Sequence, residues 1–170
     1  MLSKADIMKY LNLLNEELKS KGIRGQIALF GGTVMCLVYD ARGLTKDIDA
    51  VFEPKSLIYQ IADKIADEQG LSKDWLNDSV KGFMSKNQDM RVFKNFSNLT
   101  VHVPSASYML AMKCLAARTG ASKDVDDIKF LLSYLGINSV DEAIEILGKY
   151  FPPSMILPKT KYLLMEIMEE

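Results

Sequence analysis

Apolar residues recur along the chain at two spacings, and the change between them predicts where helices and strands lie. The first segment, residues 4–21, is apolar at every third or fourth position, which is the spacing of an amphipathic helix. Ser3 stands before this helix as an N-cap, and Gly22 follows it as a stop. The residues of the apolar stripe are Ile7, Leu11, Leu14 and Leu18.

The next segments alternate between strand and helix patterns. GQIALF (25–30) is a short apolar run that predicts a strand, and a Gly-Gly pair follows it. TVMCLVYDARG (33–43) predicts a helix of about two to three turns that ends at its final glycine. TKDIDAVF (45–52) predicts a second strand, because β-branched and aromatic residues gather at its end.

One more helix and two more strands are expected before residue 104. SLIYQIADKIADEQG (56–70) predicts an amphipathic helix, and residues 71–85 predict a partly helical connection. MRVFKNF (90–96) and NLTVHV (98–103) predict two strands joined by a Ser-Asn turn. The residues expected on the buried side of the helix are Leu57, Ile61 and Ile65.

Residues 105–170 carry only helical patterns. SASYMLAMKCLAARTG (105–120) predicts one helix ending at Gly120, and SKDVDDIKFLLSYLG (122–136) predicts a second. A Ser-x-x-Glu capping box at Ser139 predicts a third, and KTKYLLMEIM (159–168) a fourth. The core positions expected in the second helix are Val125, Ile128, Leu132 and Leu135. The fold class predicted is α+β, with an α/β core over residues 1–104 and a C-terminal helical region over residues 105–170 packed on it.

Composition excludes several function classes. The chain has 170 residues, of which 48% are hydrophobic and 25% charged, with a net charge of -1, so a broad basic face for nucleic acid is not expected. No apolar run is long enough to span a membrane and no leader pattern occurs, so we expect a cytoplasmic protein without a membrane partner. The single histidine and two cysteines show no zinc-ligand spacing, and Cys36 and Cys114 are expected in the core.

A strand, a Gly-Gly pair and a helix in succession form a candidate phosphate site. Such a turn exposes backbone N–H groups without side chains in the way, and Thr33 adds a hydroxyl in the first helical turn. Gly31 and Gly32 are also compatible with an ordinary turn. A Walker A loop is excluded because no Gly-Lys-[Ser/Thr] follows.

Two aspartates lie in the predicted second strand. Asp47 and Asp49 are two positions apart, so on a strand both side chains project from one face, with Cα atoms roughly 6–7 Å apart. Such a pair can converge on one or two divalent cations. The alternative is a pair of solvated acids at a strand end.

Taken together, these motifs resemble a known family. GGTVMCLVYDARGLTKDIDAVF (31–52) resembles the G-[GS]…D-x-D signature of the minimal nucleotidyltransferase superfamily, which has the DNA polymerase beta-like fold. The T-K-D-I-D form is similar to the AbiEii toxin branch and its small uncharacterised relatives. AMKCLAARTGASKDVDDIKFLL (111–132) is similar to the K…R…[KR]-D-x-x-D region of that branch. The resemblance implies a small mixed sheet flanked by helices, followed by a helical bundle.

The resemblance also implies an activity and a set of site residues. It implies Mg²⁺-dependent transfer of a nucleoside monophosphate from a nucleoside triphosphate to an acceptor, with RNA or a protein as acceptor and an antitoxin as partner in the toxin branch. The residues implied in catalysis are Asp47, Asp49, Lys113 and Asp127, and the aspartates at 47 and 49 would bind the metals of a two-metal site. The residues implied in nucleotide binding are Gly31, Gly32, Thr33, Lys46 and Asp124.

One departure from the family keeps alternatives open. Many active members carry a third carboxylate on a later strand, where NLTVHVP (98–104) offers His102 and no acid. Asp89 and Glu53 are weak substitutes. A degenerate nucleotide-binding module or a regulatory partner of the same fold is therefore the alternative function.

Two further segments allow a purely structural interpretation. The charges of the 111–132 region also suit a solvated helix start, where Lys123 and Asp127 could pair on the surface. Trp75-Leu76-Asn77 resembles an element of the small relatives, and a buried tryptophan anchoring the connection to the sheet is the alternative interpretation of that segment.

Overall fold

The computed structural model describes residues 1–118, 120 and 122–169, and over them the fold class is α+β, as the sequence predicts. The chain divides into two compact units, the first of residues 1–82 and 90–103 and the second of residues 83–89 and 104–170. The hydrophobic pattern predicts a boundary after residue 104 but does not predict that residues 83–89 group with the helical unit.

The first unit contains a mixed five-stranded sheet with helices on it and a separate two-stranded sheet. The strands are β1 (Leu2–Ser3), β2 (Gly25–Leu29), β3 (Leu44–Thr45), β4 (Ile48–Glu53), β5 (Leu76–Asn77), β6 (Met90–Asn95) and β7 (Leu99–Pro104), and the helices are α1 (Lys4–Ser20), α2 (Gly31–Leu37) and α3 (Lys55–Gln69). The order in the large sheet is β5-β4-β2-β7-β6, with β2 antiparallel to β4 and parallel to β7, and β4 parallel to β5. The small sheet pairs β1 with β3.

Helix α1 forms where the apolar stripe and its cap predict it. The Ser3 hydroxyl accepts a hydrogen bond from the Asp6 N–H at 3.1 Å, and the Asp6 carboxylate accepts one from the Ser3 N–H at 2.9 Å. These two bonds satisfy backbone groups that the first turn would otherwise leave unpaired. All four predicted stripe residues are buried, so the helix packs by that face.

Strand β4 shows the alternation that places its aspartate. Ile48, Ala50 and Phe52 are buried, while Asp49 and Val51 are half-buried. Because successive side chains of a strand point to opposite faces, Asp49 faces away from the core. The strand begins at Ile48, so the prediction that it starts before Asp47 is wrong, and Asp47 lies in the bend that leads into the strand.

Helix α2 is shorter than predicted. It ends at Leu37 rather than near residue 43, because the chain takes a left-handed conformation at Asp40, with φ of 54°. Asparagine and aspartate tolerate that region better than other non-glycine residues, but a right-handed helix cannot pass through it. Residues 38–43 therefore form a loop.

The second unit is helical. Its helices are α4 (Ala106–Ala116), α5 (Ser122–Leu135), α6 (Val140–Tyr150) and α7 (Pro158–Met168). The Ser139 hydroxyl accepts a hydrogen bond from the Glu142 N–H at 3.2 Å, which confirms the predicted N-cap of α6. The return bond of the capping box differs, because the Glu142 carboxylate accepts from the Asn138 N–H instead of the Ser139 N–H. Helix α4 ends at Ala116 and not at Gly120, because Ala117 is extended at φ −59° and ψ 133°.

The buried face of α5 differs from the predicted one. Ile128, Leu131 and Leu132 are buried, whereas Val125 and Leu135 are only half-buried. The buried stripe also includes a charged residue, Asp127, which the apolar pattern could not reveal. None of the helices in the described part of the chain combines the length and the apolar character that a bilayer crossing requires.

Candidate functional site: a glycine turn beside two aspartates

Strand pairing brings the Gly-Gly turn to the aspartates. Strands β2 and β4 are antiparallel with Leu29 opposite Ala50, and the Phe30 N–H donates to the Asp49 carbonyl at 2.9 Å. The next residue, Gly31, therefore lies against Asp49. A Cβ added to Gly31 would stand 2.9 Å from Asp49 Oδ2, so the carboxylate occupies the space that any other side chain would need.

The second glycine of the turn packs against a cation and a hydroxyl. A Cβ on Gly32 would stand 2.8 Å from Arg42 Nη1 and 2.8 Å from Thr45 Oγ1. Arg42 comes from the loop after α2, and Thr45 from β3. No pattern in the sequence indicates Arg42, because its approach to the turn depends on the loop that forms in place of the predicted end of α2.

Two buried threonines hold the backbone of the first aspartate. Thr33 Oγ1 donates to the Asp47 carbonyl at 3.1 Å, and Thr45 Oγ1 donates to the same oxygen at 3.2 Å. Both threonines are buried. The Thr33 hydroxyl thus positions Asp47, so a contact of Thr33 with phosphate would have to come from its backbone N–H.

The Asp47 carboxyl lies in an environment that disfavours its charge. Burial raises the pKa of Asp47 above its ordinary value, and the nearby Asp74 raises it further. Two groups lower the pKa of Asp47. They are the exposed Lys46 and the Asn77 side chain, which lies within hydrogen-bonding reach of the carboxyl. A cation bound to this half-buried carboxylate would stabilise its charged form, which burial and the neighbouring acid disfavour.

We expect Asp47→Asn to raise the free energy of unfolding at neutral pH. The pKa of Asp47 is raised above 3.8 in the folded protein, so between pH 3.8 and that raised pKa the folded state binds more protons than the unfolded state. The charged Asp47 carboxylate therefore destabilises the folded protein at neutral pH, and this destabilisation is lost as the pH falls through that range. The gain from the neutral amide should therefore shrink in acid. Urea unfolding at neutral pH and near pH 4 checks this, and an equal gain at both pH values would contradict it.

We expect Gly31→Ala to destabilise the protein more than Gly22→Ala. Both glycines have left-handed backbones, with φ of 60° and 64°, but an added Cβ meets nothing within 4 Å at Gly22 and meets the Asp49 carboxylate at Gly31. The backbone strain is shared, and overpacking adds about 1–3 kcal/mol at Gly31 alone. Denaturant unfolding of the two variants measures this difference, and equal losses would show that Asp49 does not confine Gly31.

The Trp75-Leu76-Asn77 segment belongs to the site. Trp75 is buried, its indole N–H donates to the Ala62 carbonyl at 2.9 Å, and its own carbonyl accepts from the Ile48 N–H at 2.6 Å. The structural interpretation of the tryptophan as an anchor is thereby confirmed. Parallel pairing of β4 and β5 then places Asn77 opposite Asp49, a position that the short strand did not reveal in the sequence.

Of the two substitutes for a third carboxylate, Glu53 belongs to the first unit and does not lie at the aspartate pair. Glu53 is at the other end of β4, opposite Gln26, and His102 Nε2 is 3.2 Å from Gln26 Oε1. Asp89 belongs to the second unit, where its carboxylate accepts from the Tyr150 hydroxyl at 2.9 Å. Across the residues that the structure describes, no three His, Cys, Asp or Glu side chains are grouped so as to hold a metal ion.

The donors at the pair nevertheless fit Mg²⁺ completed by a substrate. Mg²⁺ in phosphoryl-transfer sites is usually held by one or two carboxylates together with substrate phosphates and water. Asp47 and Asp49 supply two carboxylates, and the missing side chain at Gly31 lets the Asp49 carboxylate approach the turn closely. The chemistry of this donor set matches the metal that the resemblance implies.

The other implied residues lie in the helical unit. Lys113 Nζ forms an ion pair with Asp127 Oδ2 at 2.6 Å, and the two side chains are 11% and 3% exposed. Asp124 is half-buried, and its carboxylate accepts from the Arg118 N–H at 3.5 Å. Within this unit the ion pair of Lys113 with Asp127 thus joins α4 to α5.

Comparisons of the chain with protein-family models, with curated proteins and with solved structures find no match. Membership of the nucleotidyltransferase superfamily therefore stays a prediction from the motifs at residues 31–52 and 111–132.

Proposed function

We propose that the protein is a Mg²⁺-dependent nucleotidyltransferase that moves a nucleoside monophosphate from a nucleoside triphosphate to an acceptor hydroxyl. The observation that carries the proposal is the contact between the glycine turn and the D-x-D pair, where Gly31 lies against the Asp49 carboxylate. A phosphate site and a cation site that adjoin in this way suit a metal-bound triphosphate.

The turn offers donors for the phosphates. Because Gly31 and Gly32 carry no side chains, polar groups approach the turn closely, with Asp49 against Gly31 and Arg42 against Gly32. A guanidinium carries five N–H donors in a planar fork that matches phosphate oxygens. Arg42 is therefore the side chain that we assign to the triphosphate, with Lys46 as an exposed second cation.

The aspartates would hold the metal. Asp49 projects from β4 and Asp47 from the bend before it, with the Asp47 backbone fixed by the two threonine hydroxyls. Mg²⁺, when bound, neutralises charge on the leaving pyrophosphate and makes the acceptor hydroxyl more acidic. In the transfer, a bond forms between the acceptor oxygen and the α-phosphorus, the bond from that phosphorus to pyrophosphate breaks, and the hydroxyl proton leaves to water.

The acceptor and the setting follow from the resemblance alone. They comprise RNA or a protein as acceptor, a toxin–antitoxin pair as context, and the cytoplasm as location. The roles implied for Lys113, Asp124 and Asp127 likewise stay part of the proposal, because these residues belong to the second unit.

A nucleotide-binding module without transfer activity is the second candidate. It is favoured by the acid count, since among the described residues no third acidic side chain groups with Asp47 and Asp49 so as to hold a metal ion. Such a module would bind a triphosphate and Mg²⁺ at the same turn and leave the nucleotide intact.

Position-specific labels separate the two functions. The protein is incubated with Mg²⁺, total RNA and each nucleoside triphosphate, labelled in one series at the α-phosphate and in another at the γ-phosphate. The proposal predicts that α-label enters an acceptor while γ-label leaves as pyrophosphate. Transfer of γ-label would indicate phosphoryl transfer instead, and Mg²⁺-dependent binding of intact nucleotide would favour the module.

A further inference from the structure

Asn77 is held in one orientation beside the aspartate pair. Its Oδ1 accepts from the Ser79 N–H at 3.3 Å and from the Ser79 hydroxyl at 2.7 Å, so the oxygen of the amide is turned toward Ser79. Its Nδ2 donates to the Asp74 carbonyl at 3.2 Å. With both acceptor contacts on one side, the amide presents its N–H groups on the other.

The strand that carries Asn77 is itself anchored. Trp75 joins β5 to α3 through its indole N–H and to β4 through its carbonyl, and its ring meets Tyr10 edge-on with centroids 5.4 Å apart. The parallel register then sets Asn77 opposite Asp49, and its side chain reaches the Asp47 carboxyl. The register thus places Asn77 beside Asp49 in the sheet, and a hydrogen bond from the Asn77 side chain lowers the pKa of the Asp47 carboxyl.

We infer that Asn77 is a positioning residue that donates a hydrogen bond to the Asp47 carboxylate and aims that carboxylate at the metal. The inference rests on the proposed function, because it takes Asp47 to be a metal ligand. Hydrogen-bond partners of this kind orient ligands, and their loss typically costs about 10–100-fold in metal affinity or activity. The Trp75-Leu76-Asn77 segment thereby gains a role as the support of the metal site.

The test is titration of the intact protein with Mn²⁺ alone, followed by electron paramagnetic resonance of the free ion. We expect Asn77→Ala and Asn77→Ser to weaken Mn²⁺ binding about tenfold or more. Serine can keep the turn contact to the Ser79 N–H, as serine and asparagine both make such turns, but it is too short to reach Asp47. The matched control is Asn95→Ala on the edge strand β6, where Asn95 accepts from the Thr100 hydroxyl at 3.0 Å, and it should bind Mn²⁺ as the wild type does.

Fluorescence of Trp75, the only tryptophan in the sequence, reports whether β5 stays in place. Loss of Mn²⁺ affinity with unchanged Trp75 emission supports positioning by Asn77. Two results overturn it: wild-type affinity in Asn77→Ser, or an affinity loss that occurs only with a red-shifted emission, which would mean that Asn77 merely holds the strand. If wild type and Asp47→Ala alike fail to bind Mn²⁺, the metal site itself and the proposed function fail.

Discussion

Asp49→Asn is expected to lower nucleotide transfer by at least about 100-fold while the protein stays folded. The amide keeps the shape that packs against Gly31 but removes the negative charge that would hold the cation. Removing a single group that stabilises transition-state charge typically costs 10²–10³ in rate. Rates of α-label transfer under saturating nucleotide and Mg²⁺ measure the effect.

The matched control for this loss is Asp63→Asn. Asp63 is an exposed aspartate of α3 in the same unit, so its change removes the same charge from the protein without touching the site. It should retain the wild-type rate. An Asp49→Asn variant that transfers label at more than a tenth of the wild-type rate would exclude Asp49 as a metal ligand.

Asp127→Ala is expected to destabilise the helical unit by about 3–5 kcal/mol. The change leaves the Lys113 ammonium, 11% exposed, without the carboxylate that lies 2.6 Å away. Breaking one side of a buried ion pair costs this much because the remaining charge is poorly solvated, whereas replacing both partners by apolar residues is often neutral or stabilising. The double variant Lys113→Met/Asp127→Leu should therefore recover most of the loss in denaturant unfolding.

An exposed ion pair provides the control. Lys64 and Glu17 are 2.8 Å apart with side chains 53% and 26% exposed, so Glu17→Ala should cost no more than about 1 kcal/mol. Equal losses from Glu17→Ala and Asp127→Ala would contradict the burial argument. The stable double variant also separates folding from chemistry, because a stable protein without transfer activity would support the catalytic roles implied for Lys113 and Asp127.

Local signals in the sequence predicted most elements of the fold. The Ser3 cap, the apolar stripe of α1 and the alternation around Asp49 depend on neighbours within one turn or one strand. They can therefore be predicted from one sequence. The ends of α2 and α4 cannot be predicted in this way. The left-handed backbone of Asp40 is set by the conformation of the loop after α2. Ala117 follows the last residue of α4 although alanine has the highest helix propensity.

The site divides in the same way. Motif spacing predicted that the glycine turn and Asp49 belong to one site, because they lie in consecutive elements of the chain, but it placed Asp47 on the strand rather than in the bend before it. The sequence did not indicate Arg42, because its position depends on the packing of a loop. It did not indicate Asn77, because Asn77 lies in a strand of two residues, which is too short to show a period. The apolar pattern likewise could not show that Asp127 is buried, since its ion partner Lys113 lies on another helix.

The most direct test of the account is a crystal structure with Mn²⁺ and a non-hydrolysable nucleoside triphosphate. We expect an anomalous manganese peak at the carboxylates of Asp47 and Asp49, with the triphosphate against the Gly31-Gly32 turn and near Arg42. A nucleotide bound elsewhere at full occupancy, or no manganese at the two aspartates under saturating conditions, would contradict it.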